Sequence, residues 1–289
     1  MIPRALSSAL VAIAVAQVGT GQPSPARPRV TGIGHVAFRV TDAAAARHFY
    51  ADVLGLTERA GSGSRMTFTI GSRQHVLIEP GLPADEDERL SHLAFETADV
   101  KGMAAYLGSR GIQVTQPATR CEESAVSVQD PDGHPIEFVQ ANWPPDKRDL
   151  AADRALSHRL LHAGLIVRDE EAAHRFYRDV LGFSEIWRGG RPEGVTQWVN
   201  MRVPDGTEYI EYMLASSPPT RRQRGTQHHL CLLVPEIQAA WEEAARRVGT
   251  NASSALPSPP NVGVNGKWQL NLYDPDGTRT ELMEAFRVR

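Results

Sequence analysis

"GHVAFRVTDAAAARHFYADVLGL" (Gly34–Leu56) returns, with substitutions, as "LHAGLIVRDEEAAHRFYRDVLGF" (Leu161–Phe183). Each copy sets a histidine, His35 or His162, in an alternating apolar strand. A segment with Phe-Tyr and Val-Leu at helical spacing follows and stops at a glycine, Gly55 or Gly182. The spacing is kept: His35 to Phe49 and His162 to Phe176 are both fourteen residues. Such a repeat in a 289-residue chain predicts two domains of one fold, with the Phe-Tyr pairs packing helix on sheet.

A weaker repetition lies inside each half. In the first, strands at "RMTFTI" and "HVLIEP" precede a new strand "SHLAFET", the helix "VKGMAAYLGSRG" and strands through "SAVSVQ" and "PIEFVQ". In the second, "QWVNMRV" and "EYIEYML" lead to "HHLCLLV", the helix "EIQAAWEEAARRVG" and strands "KWQLNLY" and "RTELMEA". The predicted class is therefore α+β: four βαβββ units paired into two tandem domains, residues 30–143 and 159–289, with a linker at 144–158. Each half ends in a turn that opens a strand, "DPDGHPIEFV" (Asp130–Val139) and "DPDGTRTELM" (Asp274–Met283). Both put a carboxylate, Glu137 or Glu281, in a strand that otherwise reads as core.

The polar residues of the strands form a pattern. In the second half they are His162 and Glu211 on the first and last strands of one unit, and His229 and Glu281 on those of the next. A lone strand histidine is usually a satisfied core residue. Ionised carboxylates are costly to bury unpaired, however, and convergent His and Glu side chains are what a divalent cation compensates. Two imidazoles and two carboxylates suit Zn, Ni, Mn, Co or Fe(II) better than Ca or Mg.

The units, with "FYRDVLGF", "HLCLLV" and "DPDGTRTELME", resemble the vicinal oxygen chelate superfamily, which includes glyoxalase I, methylmalonyl-CoA epimerase, extradiol dioxygenases and the bleomycin resistance proteins. The resemblance runs from about Val30 onward. It implies paired glyoxalase-like units cupped around a metal held by His162, Glu211, His229 and Glu281, with Glu211 and Glu281 also the candidate catalytic groups. His229 is preferred to His228 because it aligns with His92. The first half offers a second site, His35, His92 and Glu137. Its fourth position departs from the pattern: Glu79 falls too late, and a mid-strand register lands near Val76. Trp198, Tyr212, Trp268 and Tyr273 are candidates to line an apolar pocket in the second half.

The ends and composition narrow the setting. "MIPRALSSALVAIAVAQ" has the charged, apolar and small-residue order of a secretory signal, expected to cover residues 1–16, with a Pro/Gly spacer at 17–29. A secreted or periplasmic protein, off the membrane once the signal is cleaved, is expected. A net charge of −3 and 22% charged residues do not favour nucleic acid as a partner. "RRQR" (Arg221–Arg224), the densest basic run, reads as a solvated loop. Cys121 and Cys231 are not expected to pair, and Cys231 reads as a buried thiol.

The expected activity is that of an exported, metal-dependent enzyme, monomer or homodimer, acting on a small oxygenated substrate by Lewis-acid chelation, as an isomerase or lyase. The alternatives are an Fe(II) extradiol-type dioxygenase and a metal-free binding protein of the resistance type. Tyr273 adjoins Asp274 directly, so the dioxygenases' Tyr-x-x-Asp/Asn-Pro spacing is absent.

Overall fold

The computed structural model describes residues 25–59, 63–83, 85–119, 123–141, 154–249 and 256–288. The expected signal segment, most of the 144–158 linker and Cys121 lie outside them. The first unit runs β1 (Val30–Val40), α1 (Ala43–Arg47, continued as a π-helical segment His48–Val53), β2 (Thr57–Arg59), β3 (Met66–Thr69) and β4 (His75–Pro80). The second runs β5 (Leu90–Thr97), α2 (Val100–Ser109), β6 (Ala118–Thr119), β7 (Glu123–Gln129) and β8 (Pro135–Ala141). The third runs β9 (Leu160–Val167), α3 (Glu170–His174, with its π-helical segment Arg175–Val180), β10 (Ser184–Gly189), β11 (Trp198–Arg202) and β12 (Tyr209–Leu214). A short helix, α4 (Arg221–Gln227), leads into the fourth: β13 (His229–Leu233), α5 (Ile237–Val248), β14 (Asn261–Val262), β15 (Lys267–Tyr273) and β16 (Arg279–Arg287).

Each half forms one eight-stranded sheet, ordered β2-β3-β4-β1-β5-β8-β7-β6 and β10-β11-β12-β9-β13-β16-β15-β14. The first strands of paired units thus lie side by side at the sheet centre, where β1 meets β5 and β9 meets β13 antiparallel. The start of each helix is fixed locally. Asp42 accepts the backbone N–H groups of Ala44 and Ala45, and Asp169 that of Ala172, while Gly55 and Gly182 take positive φ at the exits. One continuous apolar core takes in side chains of both sheets and the helices. Helices of opposite halves meet there: the Tyr106 hydroxyl of α2 donates to the Val180 carbonyl at 2.6 Å, and Arg247 of α5 donates to the Val53 carbonyl at 2.9 Å.

The repeated motifs brace the halves against each other. Tyr177 donates to the carboxylate of Asp130 at 2.9 Å, and Tyr50 donates to that of Asp274 at 3.3 Å. The Tyr of each "FY" pair therefore reaches the "DPDG" turn of the other half.

One expectation needs correction. "RRQR" is the body of α4 and not a solvated loop. Thr220 and Gln223 form a capping box, Arg221 pairs with Asp87 at 2.9 Å, and Arg224 pairs with Glu88, so distant acids neutralise the basic run. The end of the 17–29 spacer is anchored: Arg27 meets Asp205 at 3.2 Å, and the Val30 N–H donates to the same carboxylate. The described end of the 144–158 linker is also packed, with Ser157 donating to the Leu233 carbonyl at 2.6 Å. Cys231 is a free, buried thiol, as expected. Among the described residues no helix is long and apolar enough to cross a membrane.

Candidate metal centre

Strand alternation aims His162, Glu211, His229 and Glu281 into one cup. All four are buried, and one ligand atom from each lies within 4.8 Å of the others. His162 Nε2 and His229 Nε2 are 3.1 Å apart. A carboxylate oxygen of Glu281 lies 3.4 Å from the first and 3.5 Å from the second, and one of Glu211 lies 3.9 Å and 3.6 Å away. His228 points elsewhere: its Nδ1 is 2.7 Å from Glu88, in the first half, and its ring meets His134 edge-on.

The electrostatics are those of a polar cluster removed from water. Burial, with the nearby Glu281 charge, pushes the Glu211 carboxyl up. Burial acts on Glu281 in the same sense, but hydrogen bonds from His162 and His229 and the charge of Arg279 outweigh it and hold this carboxyl well below the usual range. Burial, then Arg279, pushes His229 down to about 3, so its imidazole is neutral at pH 7.

These residues fit a divalent cation. Neutral imidazoles and converging carboxylates are its preferred donors, and a cation would let Glu211 ionise beside Glu281. The surroundings also hold unmet polar capacity. Asn200 stands opposite Glu211 on β11, Asn271 stands opposite Glu281 on β15, and both have a buried side-chain oxygen without a hydrogen-bond partner, as does His162 at Nδ1.

Several groups here escaped the sequence reading. Tyr209 stacks on His162 with ring centroids 4.6 Å apart. Arg279 Nη2 is 2.9 Å from each ring nitrogen of His229. Both precede a glutamate of the site by two residues, a period-two signal that was available. Gly164, opposite His229 on β9, is a steric requirement, since a Cβ there would lie 2.0 Å from the imidazole. Three of the four expected aromatics lie elsewhere: Tyr212 is core against Tyr177, Trp268 packs on the main core, and Tyr273 is half exposed.

The first half brings together His35, His92 and Glu137, also within 4.8 Å and buried. His35 Nε2 and His92 Nε2 are 2.9 Å apart, and His92 Nε2 lies 3.7 Å from Glu137. Its fourth position is Leu77, beside the expected Val76. β4 pairs His75 with His35 and Leu77 with Ala37, just as β12 pairs Tyr209 with His162 and Glu211 with Gly164. Glu79 accepts a hydrogen bond from Ser91 at 2.7 Å instead.

The fold and both clusters define a double glyoxalase-like protein, and the comparisons agree. The chain belongs to the glyoxalase/bleomycin resistance protein/dioxygenase superfamily, whose family model matches residues 32–138 and 159–282. It is 26% identical to metapyrocatechase 2 of Cupriavidus necator over 246 residues, 78% of this chain and 68% of that protein. It is 30% identical to biphenyl-2,3-diol 1,2-dioxygenase of Paraburkholderia xenovorans (strain LB400) over 169 residues, 53% of this chain and 55% of that protein. The chain thus spans little more than half of that second relative. In fold it is similar to the 2,3-dioxygenase LapB from Pseudomonas sp. KL28, with a TM-score of 0.69 at 20% identity over 90% of this chain and 94% of that one.

Proposed function

We propose that the C-terminal centre holds one divalent cation among His162, Glu211, His229 and Glu281, and isomerises or cleaves a small anionic substrate bearing two adjacent oxygens, without net redox change. The observation that carries this reading is Glu211, a second buried carboxylate within 4 Å of both imidazoles. An O₂-activating Fe(II) centre uses two histidines and one carboxylate and keeps positions open, whereas Glu211 fills one of them.

When bound, the cation supplies Lewis acidity to the two substrate oxygens. The chain's own groups do the rest. Two carboxylates offset a divalent charge, so Arg279 leaves the cup with one positive charge in excess, which favours an anion. Glu211, a buried carboxylate within 4 Å of both imidazoles, takes a proton from the carbon next to the substrate carbonyl and returns it. The free oxygens of Asn200 and Asn271 accept hydrogen bonds from substrate hydroxyls. Burial of all four ligands excludes bulk water from these transfers.

A second reading is ring cleavage of an aromatic diol with Fe(II) and O₂, supported by the similarity to metapyrocatechase 2 and biphenyl-2,3-diol 1,2-dioxygenase. The two separate in an oxygen electrode. Fe(II)-loaded protein with a panel of catechols and hydroquinones is expected to consume no O₂, and stoichiometric uptake with ring-cleaved product would replace the first reading with the second. The N-terminal sequence supports action outside the cytoplasm, which mass spectrometry of native protein tests: loss of the first ~16 residues is expected.

A further inference from the structure

Gln227, the last residue of α4, sets how His229 sits in the C-terminal centre. Its carbonyl lies 2.9 Å from His229 Nδ1. A carbonyl only accepts, so Nδ1 carries the proton and the lone pair is left on Nε2, the nitrogen that faces His162. The ladder between β13 and β16 does not place this carbonyl, since its pairing begins at His229 and Arg279. α4 must be held in another way.

The hold comes from the first half. Asp87 pairs with Arg221 at 2.9 Å, and Glu88 pairs with Arg224. Arg89 reaches further. Its Nη1 donates to the Arg221 carbonyl at 3.1 Å, in the first turn of α4, and its Nε donates to the Asp276 carbonyl at 2.7 Å, in the turn that opens the strand of Glu281. Gly225 of α4 packs at the same place: a Cβ there would lie 2.6 Å from the Gly277 carbonyl and 3.6 Å from the guanidinium carbon of Arg89. Arg89 is only 5% exposed, and burying a guanidinium is costly, so its rigid fork is spent on spanning helix and turn. The grip runs one way, because Thr226 stands three residues before His229 where Arg89 stands three before His92.

We propose that Arg89 is a positioning residue of the C-terminal centre: by clamping α4 to the Asp274–Gly277 turn, it aims the Gln227 carbonyl at His229 Nδ1 and so directs Nε2 at the cation. The last step rests on the reading that this centre holds a cation. Lysine does not substitute, since a point charge on a flexible stem does not hold two carbonyls at a fixed spacing.

Two measurements on the full-length chain test this. The first needs no metal: with ¹⁵N-labelled histidine, His229 Nδ1–H should give a downfield, slowly exchanging proton resonance. Arg89→Lys should speed its exchange at least ~10-fold. Tyr106→Phe, which removes a different hydrogen bond between the halves, should leave it unchanged. The second is Co(II) titration in a His35→Ala background, which takes a ligand from the first-half cluster. Arg89→Lys should weaken Co(II) at least ~10-fold and change its visible spectrum, and Tyr106→Phe should do neither. Arg89→Ala should match Arg89→Lys, and guanidinium ion added below its unfolding concentration should restore the parent spectrum. Unchanged Nδ1–H exchange in Arg89→Lys would overturn the proposal. So would a Co(II) spectrum indifferent to Arg89, or effects of equal size from Tyr106→Phe. A His35→Ala parent that binds no Co(II), while Arg89→Lys still frees the Nδ1 proton, would overturn the cation reading and support the clamp.

Discussion

His229 reaches the cup because Gly164 has no side chain. The imidazole occupies the volume a Cβ would take, so Gly164→Ala should push the ring out of ligand range while sparing the strand. Metal affinity of the second half is expected to fall at least ~10-fold, as for other substitutions that misorient a ligand. His229→Ala should abolish it. His228→Ala should leave it intact and lower stability by about 1–3 kcal/mol, because Glu88 loses a buried partner at 2.7 Å. Metal content and urea unfolding of the three variants check this; a metal-free His228→Ala protein beside a metal-replete His229→Ala protein would put the register one residue out. The choice between the two histidines was legible, since alternation allows only one to face the cup and His92 marks which. Gly164 was not legible, because a glycine in an apolar strand shows its purpose only when the opposing strand is placed. Leu77 was legible only to within a residue for the same reason: sequence spacing does not fix where a parallel strand begins.

The "DPDG" turns do more than open a strand. Asp130 and Asp274 each accept the N–H groups two and four residues on, and each then receives a tyrosine from the other half. Their charges are managed differently. Burial would raise Asp130, but His134 at 2.8 Å and Tyr177 hold it below the usual range. Asp274 has no such cation, and burial pushes it up to about 6 from 3.8. A folded-state pKa above the unfolded one means that the native state holds the proton more tightly. The resulting stabilisation is complete below about pH 4 and lost as pH rises through 6. Two pKa units correspond to ~3 kcal/mol. Asp274→Asn keeps the acceptor for the turn N–H groups and has no charge to bury. Its stability relative to wild type should therefore rise between pH 4 and 7 by an amount of that order, measured by urea unfolding at both ends, and a pH-independent difference would contradict the assignment. These turns were legible as strand openers, but their cross-bracing was not, because Tyr50 and Asp274 are 224 residues apart. Separation in sequence also hid α4, whose arginines find Asp87 and Glu88 across the interface between halves.

At the scale of the molecule, the repeat made the architecture readable before any coordinates. Two levels of internal similarity fix four units, and the alternating strands fix which faces are core. The difference between the two cups was hidden, since it resides in Leu77, which stands in the place of Glu211 and looks unremarkable in an apolar strand. The central claim is that the C-terminal centre is a four-residue site in which Glu211 is a ligand. Diffraction from crystals loaded with Co(II), collected at the cobalt absorption edge, tests it most directly. The account predicts an anomalous peak between His162 and His229, with a carboxylate oxygen of Glu211 and one of Glu281 each about 2.0–2.2 Å away, the usual reach of carboxylates on such ions. A peak held by His162, His229 and Glu281 with Glu211 turned out of coordination, or no peak there at all, would contradict it.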